Sequence, residues 1–167
     1  MKRELGKEVV EYARSRMTLS NFSTLMGFEV EKLYEGGAVL GMDVSDRHRQ
    51  VHSVMHGGVI AALADTAAAL AAYTAVPRGT EIATIELKIN YLLPIRDGRI
   101  TAEGKVLRAG RNFLAVECEI YDAKGAIAAK ALMTFGAAAG HSLAQVGAAR
   151  KVSGNRDGRA ARKHPKR

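Results

Sequence analysis

The chain has one cysteine, no tryptophan, three prolines and only 5% aromatic residues among its 167 positions. Cys118 alone closes no intrachain disulfide and brings at most one ligand to a metal, so neither a disulfide framework nor a cysteine-rich zinc site is expected. A solitary cysteine suits a reducing compartment, and a cytoplasmic location is expected. No uninterrupted apolar run reaches the ~18 residues that would span a bilayer, so no membrane insertion is expected. The basic residues Lys2, Arg3 and Lys7 lead into mixed polar sequence instead of a short apolar core and a small-residue cleavage site, so no secretory signal is expected. With 47% hydrophobic and 25% charged residues, the composition is that of one ordinary globular domain.

The formal net charge of +8 is unevenly spread. Between residues 141 and 167 stand Arg150, Lys151, Arg156, Arg159, Arg162, Lys163, Lys166 and Arg167 against one acid, Asp157, so nearly all the excess lies in this stretch. The stretch has no aromatic residue and little apolar periodicity, which marks a solvated, disordered extension. Contact with nucleic acid through this basic tail is the minority alternative. The organisation expected is an N-terminal helix (1–20), a folded domain (21–140) and the tail (141–167).

Within the first segment, Leu5, Val9, Val10 and Ala13 recur at helical spacing. Residues 28–34 alternate over most of their length, Glu35-Gly36-Gly37 supplies a turn, and with 38–44 the segment reads as a β-hairpin. Residues 84–91 alternate strictly, which would set Ile85, Leu87, Ile89 and Tyr91 on one face and Thr84, Glu86, Lys88 and Asn90 on the other. Further strands are expected at 99–107, 112–121 and 126–136, separated by the Ala109-Gly110 and Asp122-Ala123-Lys124-Gly125 turns. Helix, two strands, one long helix and four strands make an α+β domain with an antiparallel sheet.

The long helix carries the chemistry. From 57 to 76 its side chains are overwhelmingly alanine with Val59, Ile60, Leu63, Leu70 and Tyr73; a helix apolar on every face is expected to be surrounded by protein, with the sheet wrapped around it. Asp65 in that setting is costly unless it is paired, protonated or at an opening, which makes it the strongest chemical signal in the chain; a solvent-facing edge is the bland alternative. Gly57 and Gly58 open the helix with unobstructed N–H groups at the positive end of its dipole, a setting that suits an oxyanion. Eight residues of helix separate Gly57 from Asp65 by ~12 Å, so they cannot meet one carbonyl from the same chain. If both act in one site, Asp65 comes from a second copy with its helix antiparallel, and the protein is an obligate dimer.

The run Val54-Met55-His56-Gly57-Gly58-Val59-Ile60-Ala61-Ala62-Leu63-Ala64-Asp65-Thr66-Ala67 resembles the signature of acyl-CoA thioesterases of the phenylacetate-degradation (PaaI-like) type. The resemblance extends through Thr84-Ile85-Glu86-Leu87-Lys88-Ile89-Asn90-Tyr91-Leu92-Leu93-Pro94 and Arg108-Ala109-Gly110-Arg111. It implies the hotdog fold, an antiparallel sheet wrapped around one long central helix. It also implies that the Gly57 N–H polarises a thioester carbonyl while Asp65 of the facing subunit attacks it or activates water. His56 matches the family histidine, and Thr84 a serine or threonine position near the site. Gln50 stands where many members have an asparagine that positions water or nucleophile; its amide keeps the same donor and acceptor types. Gly58 would border the substrate, and Arg108 and Arg111, with Lys88 and Asn90, would meet the coenzyme A phosphates.

The resulting expectation is hydrolysis of an acyl-CoA to a carboxylic acid and free CoA, without metal or redox cofactor, by a homodimer or a homotetramer built as a dimer of dimers. Leu25, Met26, Leu63, Tyr73 and Leu92 are candidates for an apolar acyl pocket. Two alternatives differ in class. A hotdog hydratase or dehydratase would need an Asp, Asn and His in order on one loop, and Asp46-Arg47-His48-Arg49-Gln50-Val51-His52 lacks that asparagine and histidine spacing. A non-catalytic acyl-CoA-binding regulator would sense the ligand and touch nucleic acid with its tail.

Overall fold

The structure, a computed structural model, describes residues 5–139, so the basic segment from 141 onward lies outside the described residues. Helix α1 (Lys7–Thr18) buries Ala13 and Met17 on one side. A short second helix, α2 (Asn21–Met26), is capped by the Ser20 hydroxyl, which accepts the Ser23 N–H, and ends on Gly27 in the left-handed conformation.

Strands β1 (Glu29–Tyr34) and β2 (Gly37–Asp43) form the expected hairpin. After the 3-10 turn Asp46–His48 comes the long helix α3 (Gly57–Tyr73). Strands β3 (Thr80–Tyr91), β4 (Arg99–Ala109), β5 (Phe113–Tyr121) and β6 (Ile127–Ala139) complete one six-stranded sheet in the order β1-β2-β4-β5-β6-β3. Every pairing is antiparallel. Consecutive strands β3 and β4 are not neighbours: β3 pairs only with β6 and forms a sheet edge. No helix among the described residues is long and apolar enough to cross a membrane.

The core lies between α3 and the curved sheet, where Leu40, Met42, Leu63, Ile100, Leu114, Ile120, Met133 and Phe135 are sealed from solvent. Alanines in the middle of α3 allow the sheet to approach its backbone. A Cβ on Gly104 of β4 would lie 2.6 Å from the Ala67 carbonyl oxygen, so no larger residue fits there without parting helix and strand.

The sheet wraps α3 as expected, with β2, β3, β4, β5 and β6 all packed against the helix. The stripe Gly58, Ala62, Asp65, Thr66, Ala69 and Tyr73 is only partly covered or exposed, because the sheet covers one side of the helix and the described residues leave the other largely open. One expectation needs correction: β3 does not alternate strictly. The register shifts between Thr84 and Glu86, leaving Ile85 as an extra residue that is 59% exposed. The bulge turns Thr84 onto the same helix-facing side as Leu87, Ile89 and Tyr91, and Lys88 and Asn90 alternate onto the opposite side.

Candidate active site

At the start of α3, His56 is the N-cap. Its backbone is extended, and its Nδ1 accepts the Gly58 N–H at 2.9 Å. The cap consumes one of the first-turn donors. No described residue accepts from the Gly57 N–H, which is left at the positive end of the helix. A side chain at either glycine would be tight against its neighbour. A Cβ on Gly57 would lie 3.2 Å from Tyr91 Cζ, and one on Gly58 would lie 3.0 Å from His56 Nδ1.

The loop before α3 holds this turn from below. His48 is buried, and its carbonyl accepts the His56 N–H at 2.8 Å. Its own Nδ1 accepts the Ser45 N–H at 3.0 Å. Burial first, and then the neighbouring Arg47 guanidinium, push its pKa below the ordinary imidazole value, which keeps the ring in the neutral form that can accept. Gln50 is exposed in the same loop; its backbone closes the turn through Gln50 N–H to Val54 O at 2.8 Å and Ser53 N–H to Gln50 O at 3.0 Å, and its amide has no partner among the described residues. His52 faces solvent.

Two turns further along α3, Asp65 Oδ1 accepts the Thr84 hydroxyl at 2.8 Å. Burial pushes the Asp65 carboxyl above the ordinary aspartate range, and the Thr84 hydrogen bond, which favours the charged form, pulls it part of the way back. No cation pairs with it among the described residues.

One chain therefore brings together two half-sites and not a whole one. His56, Gly57, Gly58 and Tyr91 form the donor end; Asp65 and Thr84 form the carboxylate end. Both lie on the uncovered side of α3, ~12 Å apart along it. Of the remaining candidates, Arg108 and Arg111 line a surface groove of about 420 Å³ with Phe113 and Thr134, whereas exposed Lys88 and Asn90 point away from α3. Leu63 is sealed in the core, and Tyr73 lines a separate cavity of about 120 Å³ against α1, so these two do not frame an acyl pocket beside Gly57. Sequence reasoning overlooked Tyr91 and His48. Tyr91 was legible only as a strand residue, and His48 lacked any neighbour in sequence that betrays burial.

A family model described as the thioesterase superfamily matches residues 52–129. A Saccharolobus solfataricus protein described as an esterase is 40% identical over 104 residues, covering 62% of this chain and 74% of its own length. The medium/long-chain acyl-CoA thioesterase YigI of Salmonella typhimurium is 28% identical over 129 residues, 68% of this chain and 83% of that protein. Among solved structures, the E. coli PaaI protein from the phenylacetic acid degradation operon superposes with a TM-score of 0.76 at 24% identity, over 82% of this chain and 98% of that one. With its six-stranded antiparallel sheet packed on one long helix, the chain has the hotdog fold and belongs to the thioesterase superfamily.

Proposed function

We propose that the protein hydrolyses an acyl-CoA thioester to a carboxylic acid and free CoA, at a site shared by two subunits. The observation that carries this reading is the pair of half-sites on one open side of α3: an unpartnered Gly57 N–H, and a half-buried Asp65 carboxyl held by Thr84 with no cation beside it among the described residues. The names of the relatives agree with the substrate class.

The topology supplies the means of joining the halves. Asp65 meets Thr84 and Gly57 meets Tyr91, so α3 and β3 run in opposite directions, and β3 is a sheet edge with free backbone groups. Pairing two copies of β3 antiparallel about a two-fold axis lays the Thr84 end of one over the Tyr91 end of the other. That brings each Asp65 towards the partner's donor end and covers the half-exposed stripe of α3. A homodimer is thus the functional unit, and a homotetramer would be a dimer of such dimers.

In this site the thioester oxygen takes the Gly57 N–H, which stabilises the alkoxide as it forms. Asp65 either attacks the carbonyl, so that the C–S bond breaks as an anhydride forms, the CoA thiolate takes a proton from solvent and water then opens the anhydride, or it removes a proton from water that attacks directly and passes that proton to the CoA thiolate as the C–S bond breaks. Gln50 would steer the water, and Gly58 leaves room for the thioester. Arg108 and Arg111 would take phosphate oxygens of CoA, with Lys88 and Asn90 as outlying contacts. This acyl transfer to water asks for no metal or redox cofactor, coenzyme A being part of the substrate.

The test is thiol release from short, medium, long and aromatic acyl-CoAs, compared with the same acyl groups on N-acetylcysteamine. The expected result is turnover of CoA thioesters with KM at least about tenfold lower than for the truncated thioesters, as charged phosphate contacts are lost. Acyl-CoA binding without thiol release would favour the regulator, and water addition to an enoyl-CoA without release would favour the hydratase.

A pH dependence also follows. Because only the ionised Asp65 can act, kcat/KM should fall on the acid side through an apparent pKa above the ordinary aspartate value. Thr84→Val removes the hydrogen bond that favours the carboxylate, so its acid limb should move to higher pH. A limb unmoved in this variant would dissociate Thr84 from Asp65 ionisation.

A further inference from the structure

We propose that Tyr91 is a positioning residue that acts on His56 through the intervening Gly57–Gly58 peptide; the proposal deepens the thioesterase reading and rests on it. The Tyr91 hydroxyl donates to the Gly57 carbonyl at 2.9 Å. The N–H of that same peptide unit, belonging to Gly58, donates to His56 Nδ1 at 2.9 Å. One peptide group is thus hydrogen-bonded at both ends, and accepting at its oxygen makes its N–H a stronger donor.

The consequence falls on the imidazole. A ring nitrogen that accepts an N–H carries no proton, so the proton of neutral His56 lies on Nε2. His56 is exposed, and its Nε2 has no partner among the described residues, so an N–H donor is left open to solvent at the start of α3. Tyr91 thereby helps fix which face of the imidazole meets the substrate, without touching the imidazole itself.

Core packing within the chain does not account for Tyr91. Leu87 and Ile89, on the same side of β3, pack on the core, whereas Tyr91 is 51% exposed and its ring lies against Gly57, where a Cβ would stand 3.2 Å from its Cζ. The β3 bulge places this phenol and Thr84 on the same side of the strand, so in the shared site each Tyr91 also lies beside the partner's carboxylate end.

Tyr91→Phe keeps the ring and deletes the hydroxyl. The expected results are a weakened Gly58 amide hydrogen bond, seen as an upfield shift of its proton, and a His56 Nδ1 nitrogen resonance that moves towards tautomer averaging. On a cleaved acyl-CoA, kcat should fall about 3- to 10-fold, with KM within about twofold of wild type and Tm little changed. Unshifted Gly58 and His56 resonances would overturn the proposal, as would a kcat within about twofold of wild type. A kcat loss that accompanies loss of the dimer, with the resonances in place, would also overturn it. If the unsubstituted protein cleaves no thioester, the enzymatic reading fails, and the two resonances still decide whether Tyr91 acts on His56.

Discussion

Asp65→Asn is expected to lower turnover of a cleaved acyl-CoA by about 10³-fold, the order lost when a positioned acid–base group is removed. The substitution is a narrow one. Asparagine keeps an oxygen where Thr84 donates at 2.8 Å, so the side chain should stay in place while its negative charge and its nucleophilicity disappear. Stability should move the other way. The folded-state pKa of Asp65 is raised, chiefly by burial, so the stability that Asp65 contributes is fully present below the ordinary aspartate pKa and is lost as pH rises through the folded value. An uncharged amide at this position has no such decline, so Tm of the variant should exceed that of wild type at neutral pH, and the gap should close on acidification. Thiol release across pH, with a thermal melt at each pH, checks both. Unchanged turnover would remove Asp65 from the chemistry; lost turnover with a lower Tm would assign it a structural role.

The opposition between activity and stability is what made Asp65 legible. A carboxylate in a run of alanines conflicts with its local pattern, and such conflicts concentrate where function is bought with stability. The strands were readable too, from local alternation in segments such as Phe113–Tyr121 and from the turn residues between the others. What escaped was non-local or too short. Helix α2 has only six residues, fewer than two turns, and its evidence is a Ser20 cap that many loops would also offer. The placement of β3 beside β6, and not beside β4, is a matter of pairing that no single segment encodes. One extra residue, Ile85, reverses the side on which Thr84 lies, and alternation read straight through 84–91 therefore sent Thr84 away from Asp65, although the two are hydrogen-bonded. Family resemblance marked Thr84 where periodicity could not. Tyr91 was hidden for a related reason: its partner, the Gly57 carbonyl, is backbone, and backbone acceptors leave no trace in side-chain patterns.

Mixing two inactive variants is expected to restore activity, the strongest test of a site divided between subunits. Asp65→Asn disables the carboxylate end. Gly57→Val disables the donor end, because a side chain there meets the Tyr91 ring and obstructs the N–H that would receive the oxyanion. Each variant alone carries the same lesion in both of its sites. In a mixed dimer one site collects both lesions and the other collects neither, since each site takes its donor end from one chain and Asp65 from the other. After random exchange at equal concentrations half of the dimers are mixed, so specific activity should recover to about one quarter of wild type. Size-exclusion and circular dichroism measurements on each variant establish that both fold and associate. Recovery would require that Gly57 and Asp65 meet only across the two-fold axis. Activity that stays at the level of the separate variants, with subunit exchange demonstrated, would mean that each chain completes its own site, and the ~12 Å between the two groups along α3 would then have to be closed by a rearrangement within one chain.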